Sequence, residues 1–497
     1  MSRARTAAVA SLVALALAGC GSTVQVTSTG TVGQDGLGQP GLGTTGGSTG
    51  GTSGGFGTSG TTGSTTGGAG STGGTTGGAT SGTTGGTTGQ TPVSSGIPTP
   101  KGVTAKEPIR VGVITQPIVE SAAKAIGLNG VTTGDTRAQV DAVLSWVATH
   151  GGLAGHPVKV YEYAVNSAND SASVWQTKAC AAMTEDYKVR FVVTILSGLS
   201  TLTPCLAKKG VGLLADNTNM GDATMAHFAP ILGNPSEFGA GRKYTVLIDE
   251  LFRTGWLTPT TKVGLLAEDS NDGHKNVDGP VAAALQRHGL KTWTTQYIDP
   301  NGGDGGSSQS SAAVLKFRSA TVTRIIPVGY SPLYMMIAAE SQGYHPAYAM
   351  DSSNGPGALL EGAAPKAQLE NASGIGWAPF LDIGKGQQPP PVSSRATLCF
   401  QLMQKAGQAS TSALVKGFQA QVCELVFYLK DLTEQEPTIP GDLMTSARIK
   451  LGAHFVSPAT FRVDVTHRTA GVAGYRPLAF LDSCSCFQYS GALRATS

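Results

Sequence analysis

The chain has 497 residues, 40% of them hydrophobic, 13% charged and 6% aromatic, and its formal net charge is +3. That length accommodates two packed domains even if a long stretch stays outside them. A near-balanced charge, no long basic run and few aromatic rings argue against a nucleic-acid partner, because neither a phosphate-binding patch nor a stacking platform is supplied.

In chain order, the first element is a leader. Arg3 and Arg5 precede an apolar run, Ala7 to Ala16, that is too short to cross a bilayer as a stable helix, and Leu17-Ala18-Gly19-Cys20 follows at once. This resembles a bacterial lipoprotein signal with its lipobox, spanning 1–20; the alternative is an ordinary signal peptide. The resemblance implies that the Cys20 thiol is acylated and becomes the new N-terminus. Several acyl chains then anchor the protein to the bacterial cell membrane on its extracytoplasmic side. Seven cysteines less Cys20 leaves an even number for an oxidising compartment. Sequence proximity pairs Cys180 with Cys205 and Cys399 with Cys423. Cys484 and Cys486 are left as a tight ring or as free thiols, and the lack of neighbouring ligands at metal spacing disfavours a metal site.

Residues 21–105 are Gly, Thr and Ser with almost nothing to bury, and Asp35 is the one charged side chain between Gly21 and Pro100. Such a composition cannot offset the entropy of ordering, so it is expected to be a disordered tether spanning roughly 50 Å root-mean-square. Its two G-x-G-x-x-G matches, Gly41 to Gly46 and Gly55 to Gly60, neither follow a strand nor open a helix and are accidents of composition.

Beyond Lys106, short apolar runs alternate with helical periods. Strands are predicted at Ile109 to Thr115, Val158 to Tyr163, Phe191 to Ile195, Val211 to Ala215, Val263 to Ala267, Thr292 to Tyr297 and Arg324 to Val328. Asp135 is set to cap a helix carrying Val140, Val143, Leu144 and Val147 at i, i+3, i+4, i+7, and Gly151-Gly152 stops it. The alternation predicts an α/β fold of two lobes, each a parallel sheet with helices on both faces.

Ligands of parallel sheets bind beyond the carboxyl ends of the strands. Four polar loops fall there: Ser197 to Thr201, Asp216 to Asn219, Glu268 to Asp272, and Gly329 to Ser331. None of them carries a catalytic pattern. Gly198-Leu199-Ser200-Thr201-Leu202 fails as a nucleophile elbow, and no phosphate loop, H-E-x-x-H or histidine cluster occurs. No enzyme, cofactor or metal is therefore expected. The hydroxyls of Ser197, Ser200 and Thr201 serve either to grip a ligand oxygen or to cap the helix Leu202 to Lys208.

The succession "IRVGVITQP", "GGLAGHPVKVYEY", "KVRFVVTILSGLST", "GVGLLADNTN", "FAPILGNPSEFGAGR", "KVGLLAEDSNDG", "RIIPVGYSPLYMMIAAESQGYHP" and "FQAQVCELVFYLKDL" resembles the type I periplasmic binding proteins. The branched-chain amino-acid type, the substrate-binding lipoproteins of ABC importers, is the most similar. The resemblance implies a first lobe of 106–233 plus 376–450 and a second of 234–375 plus 451–497, joined by three crossings near which Trp377 serves hinge packing. It implies the Cys180–Cys205 disulfide at the edge of the first lobe. It further implies that Ser197, Ser200, Thr201, Asn217 and Thr218 hold a ligand carboxylate and that Tyr330 covers the ligand. Where that family places an acid for the ligand amine, this chain has Asn354 in the run Asp351-Ser352-Ser353-Asn354, and Asp272 stands where an aromatic is common. Amine recognition then falls to Asp269, Asp272 or Asp351, or the ligand lacks an α-amine; each Asp has an alternative role as a loop cap. The resulting expectation is a monomeric, lipid-anchored receptor for a small polar solute, such as an amino acid or related carboxylate or amide, that delivers it to an ABC permease. The alternative is a sensory or structural lipoprotein that reports ligand state to a membrane partner.

Overall fold

The computed structural model describes residues 107–116, 132–166, 170–216, 220–299, 306–384, 387, 389–390, 392–436 and 443–496. Cys20, Asn217 and Thr218 lie outside them, as do the leader and all of the tether expected at 21–105.

The first lobe is built on β1 (Ile109–Thr115), β2 (Val158–Ala164), β3 (Phe191–Thr194), β4 (Gly212–Ala215) and β5 (Leu232–Gly233), all parallel in the order β2-β1-β3-β4-β5. Its strands read as continuous apolar runs because successive side chains enter two different cores. Val111, Val113 and Val193 meet the helix Thr136–Thr149 and the long helix Ala413–Gln435. Ile114, Val192 and Leu213 meet the helices Ala172–Ala181 and Leu202–Lys208 on the opposite face. The Thr136–Thr149 helix begins where its cap was read, with Asp135 Oδ1 accepting from Ala138 N at 2.9 Å.

The second lobe is built on β6 (Val263–Glu268), β7 (Thr294–Ile298), β8 (Arg324–Val328), β9 (Ala347–Met350), β10 (Ser373–Gly376), β11 (Gly474–Leu481), β12 (Cys486–Tyr489) and β13 (Arg494–Ala495). The order is β12-β11-β10-β9-β8-β6-β7, parallel from β10 to β7, while β11 runs antiparallel to β10, β12 and β13. This sheet is therefore mixed rather than wholly parallel. The antiparallel ribbon departs from the β-α alternation because it follows the last helices and closes by a hairpin that needs no crossover helix.

The chain passes between the lobes three times, and the passages bond to one another. Gly471 N donates to Asn234 O at 3.0 Å, Val472 N to Glu237 O at 3.0 Å and Phe461 N to Trp377 O at 3.0 Å. Trp377 is buried against Phe238, with Nε1 donating to Ser236 O at 3.2 Å. Phe455, Val463 and Val465 still pack in the first core, so the final return lies between Val465 and Gly474 rather than near Leu451. At the second passage the long helix approaches so closely that a Cβ on Gly417 would sit 2.1 Å from Leu381 Cδ2.

Two buried carboxyls secure these passages. Asp382 accepts from Ser352 Oγ at 2.8 Å, Tyr489 OH at 2.5 Å and Ala378 N at 3.2 Å. Glu424 accepts from Ser457 Oγ and from Ala459 N at 3.0 Å. Burial pushes Asp382 up to about 7 and Glu424 up to about 8, against the pull of those same donors. Three disulfides are formed: Cys180–Cys205, Cys399–Cys423 and, in the hairpin between β11 and β12, Cys484–Cys486.

A cleft between the lobes as candidate ligand site

A cleft of about 1200 Å³ opens at the carboxyl ends of β1, β3, β6, β8 and β9. Ser197, Ser200, Thr201, Asp269, Asp272, Tyr330 and Asp351 all line it, so the structure brings together the described candidates for ligand contact.

The loop after β3 holds the first wall. Gln176, 1% exposed, acts as a clamp beneath it: Nε2 donates to Gly198 O at 2.9 Å, while Oε1 accepts from Thr201 N and Leu202 N, both at 2.9 Å. Gly198 takes φ +68°, a turn most side chains resist. The first amides of the Leu202–Lys208 helix are thus satisfied by a side chain from the preceding helix, and that helix has no side-chain cap of its own. The hydroxyls of Ser197, Ser200 and Thr201 have no hydrogen-bond partner among the described residues, and both serines are exposed toward the cleft. Of the two roles left open by the sequence, capping is performed by Gln176.

The second wall is acidic, and its acids differ in availability. Asp272 reaches across to the first lobe, where Oδ2 accepts from Gly221 N and Oδ1 from Thr224 Oγ1, each at 3.2 Å. Gly221 precedes the short helix Asp222–His227 and offers no side chain to cap it, so Asp272 supplies that cap from the other lobe. Asp351, 2% exposed, caps the turn Ser352–Asn354 by accepting from Ser353 N at 2.8 Å, while Asn354 Oδ1 returns to Asp351 N at 3.1 Å. Asp269 is exposed and pairs with His274 Nε2 at 2.9 Å, and that imidazole stacks on Tyr297. Tyr330 reaches the cleft, but it is 6% exposed and packed in the core of the second lobe, so it is as much a structural residue as a lining one.

The sequence reading takes Glu268 only as part of a polar loop and misses Lys243. Glu268, the last residue of β6, lines the cleft, and burial raises its carboxyl while Ser270 pulls it back. Lys243 lies beneath the second wall, its Nζ 3.1 Å from Ser353 Oγ and 3.9 Å from Asp351 Oδ2. Burial alone would lower the Lys243 ammonium, but Asp351, Tyr244 and Glu237 hold it well above its ordinary value. Burial in turn pushes Glu237 up to about 7 despite Lys243. The signal for Lys243 was present: it precedes Leu247 by four and Leu251 by eight, on the buried stripe of its helix, where a lysine requires a partner.

No protein-family model matches the chain, and no curated protein matches its sequence. Solved structures do. A solute-binding protein of an ABC transporter from R. palustris, in complex with 4-hydroxybenzoate, superposes with TM-score 0.58 at 12% identity over 78% of this chain and 98% of the other. An ABC transporter substrate-binding protein from Desulfitobacterium hafniense, in complex with Leu, gives TM-score 0.52 at 13% identity over 77% and 100%. A periplasmic binding protein type 1 from Bordetella pertussis Tohama I gives 0.55 at 12% identity over 78% and 99%. With two α/β sheets, three bonded passages and a cleft at the strand ends, the chain has the type I periplasmic binding protein fold, the fold of ABC transporter substrate-binding proteins.

Proposed function

We propose that this protein is an extracytoplasmic solute-binding protein of an ABC importer, which closes its lobes on a small carboxylate-bearing solute and presents it to the membrane permease. The observation that carries this reading is the wall of unpartnered hydroxyls at Ser197, Ser200 and Thr201, left free because Gln176 satisfies the helix amides behind them. Hydroxyls donating to a carboxylate form charge-assisted bonds, and two of the three similar structures named above are complexes with Leu and 4-hydroxybenzoate, both carboxylates. The resemblance assigns Asn217 and Thr218 the same carboxylate-holding role. Opposite it, Glu268 and the exposed Asp269, which pairs with His274, are the acids that would accept from a ligand amine or hydroxyl, whereas Asp272 and Asp351 are engaged as caps of backbone turns. The role is binding rather than catalysis, carried out by a monomer held to the membrane by lipid on Cys20.

The test is a thermal-shift screen of residues 21–497 against amino acids, amides, polyamines and aromatic acids. A ligand at about 100 times its dissociation constant adds roughly 2.7 kcal/mol. A carboxylate is expected to give that shift. Stabilisation by polyamines or amides with none from any carboxylate would overturn the assignment of the hydroxyl wall.

A further inference from the structure

The three disulfides differ in kind. Cys180, Cys399 and Cys423 are fully buried and Cys205 is half-buried, and their bridges span sequence separations of 25 and 24. Cys484–Cys486 closes a ring over one intervening residue at the tip of the β11–β12 hairpin. Cys484 is exposed while Cys486 is 2% exposed, so an incoming nucleophile has one accessible sulfur. Ser485 between them is held at φ +48°, a conformation that opening of the ring would release. Gln488 lies two residues beyond Cys486, on the same face of β12. Its Nε2 sits 3.5 Å from Cys486 Sγ and 3.7 Å from Cys484 Sγ, within reach of either sulfur.

We propose that Cys484–Cys486 is a surface thiol-exchange site that takes small monothiols. The thiolate attacks Cys484 Sγ, a mixed disulfide forms there, the Cys484–Cys486 bond breaks, and Cys486 leaves as a thiolate stabilised by the Gln488 N–H. Return of Cys486 expels the thiol and restores the ring. Attack by a second thiolate on the thiol-derived sulfur instead releases the small disulfide and leaves two cysteine thiols, a two-electron reduction of the protein matched by oxidation of two thiols. Neither route needs unfolding, because the ladder from Leu478↔Tyr489 to Leu481↔Cys486 and the buried Phe487 hold the hairpin in place.

The experiment treats the full chain, natively folded, with graded free cysteine, quenches with N-ethylmaleimide and maps the labelled peptides. Labelling of Cys484 and Cys486 is expected at a thiol concentration at least tenfold below that opening either other bridge, with the cysteine adduct on Cys484 and tertiary circular dichroism unchanged. In Gln488→Leu the exchange rate should fall severalfold with the ring still formed in the resting protein. Opening of all three bridges together, or opening only with loss of tertiary signal, would overturn the proposal. An adduct confined to Cys486 would refute the direction of attack, and an unchanged rate in Gln488→Leu the stabilisation of the leaving thiolate.

Discussion

Replacing Ser200 and Thr201 together by Ala separates ligand grip from helix capping. Neither hydroxyl has a partner among the described residues, and the amides of Thr201 and Leu202 are bonded to Gln176 at 2.9 Å. The double variant therefore removes no cap, and its unfolding free energy should stay within about 0.5 kcal/mol of the parent, as for a surface change. A hydrogen bond to a charged carboxylate is worth about 1.5–3 kcal/mol, so affinity for the carboxylate found in the screen should fall at least tenfold per lost bond. Gln176→Ala is the opposite case. It leaves two amides and Gly198 O without their partner in a buried pocket, at about 1–3 kcal/mol for each group left unsatisfied, so the unfolding midpoint should drop. Isothermal titration and urea denaturation on the same three proteins read both quantities. Unchanged affinity with a lowered midpoint in the Ser200/Thr201 variant would refute the assignment and return the hydroxyls to a capping role.

Asp272→Ala should loosen the lobes, because it removes the two bonds to Gly221 and Thr224 across the cleft. At about 1.5 kcal/mol the ratio of open to closed forms rises roughly tenfold, visible as a larger radius of gyration by small-angle scattering of the unliganded protein; an unchanged radius would show the bonds to be dispensable. Stability should fall as pH rises from about 4.5 to 8. Asp382 and Glu424 have folded values near 7 and 8, above the unfolded carboxyl range, so the folded state binds more protons there; their contribution is fully present below the unfolded value and lost as pH passes the folded one. Each group contributes on the order of a few kcal/mol, and Asp382→Asn with Glu424→Gln should flatten the denaturation profile between pH 5 and 8; a slope unchanged in the double variant would locate the titration elsewhere. Cys20→Ser should appear in the soluble fraction or as unprocessed precursor, read by membrane fractionation, and normal processing with full membrane retention would end the lipid-anchor reading.

Much of the fold was legible because its determinants are local. The strands of the first lobe are announced by runs such as Ile109 to Thr115, the Thr136–Thr149 helix by its apolar stripe, and its start by Asp135, whose bond reaches only three residues along the chain. Parallel topology then puts the polar loops after β3, β6 and β8 on one side, and the cleft follows. The same rule says nothing of how a chain ends, and the antiparallel β11–β13 ribbon was recognised only from its pairing.

Which polar group in the cleft is free was decided by tertiary structure. A hydroxyl reads alike whether it caps a helix or faces a ligand. The choice for Ser200 and Thr201 was made by Gln176, 25 positions before Thr201, and that for Asp272 by Gly221, 51 positions away in the other lobe. Lys243 and Ser353, separated by 110 positions, meet only because the helix Ala240–Arg253 passes the turn that follows β9 beneath the second wall. Period and capping are settled within a few residues of backbone. The partner of a buried polar group is whichever side chain the folded chain brings within about 3 Å, and no local pattern encodes that encounter.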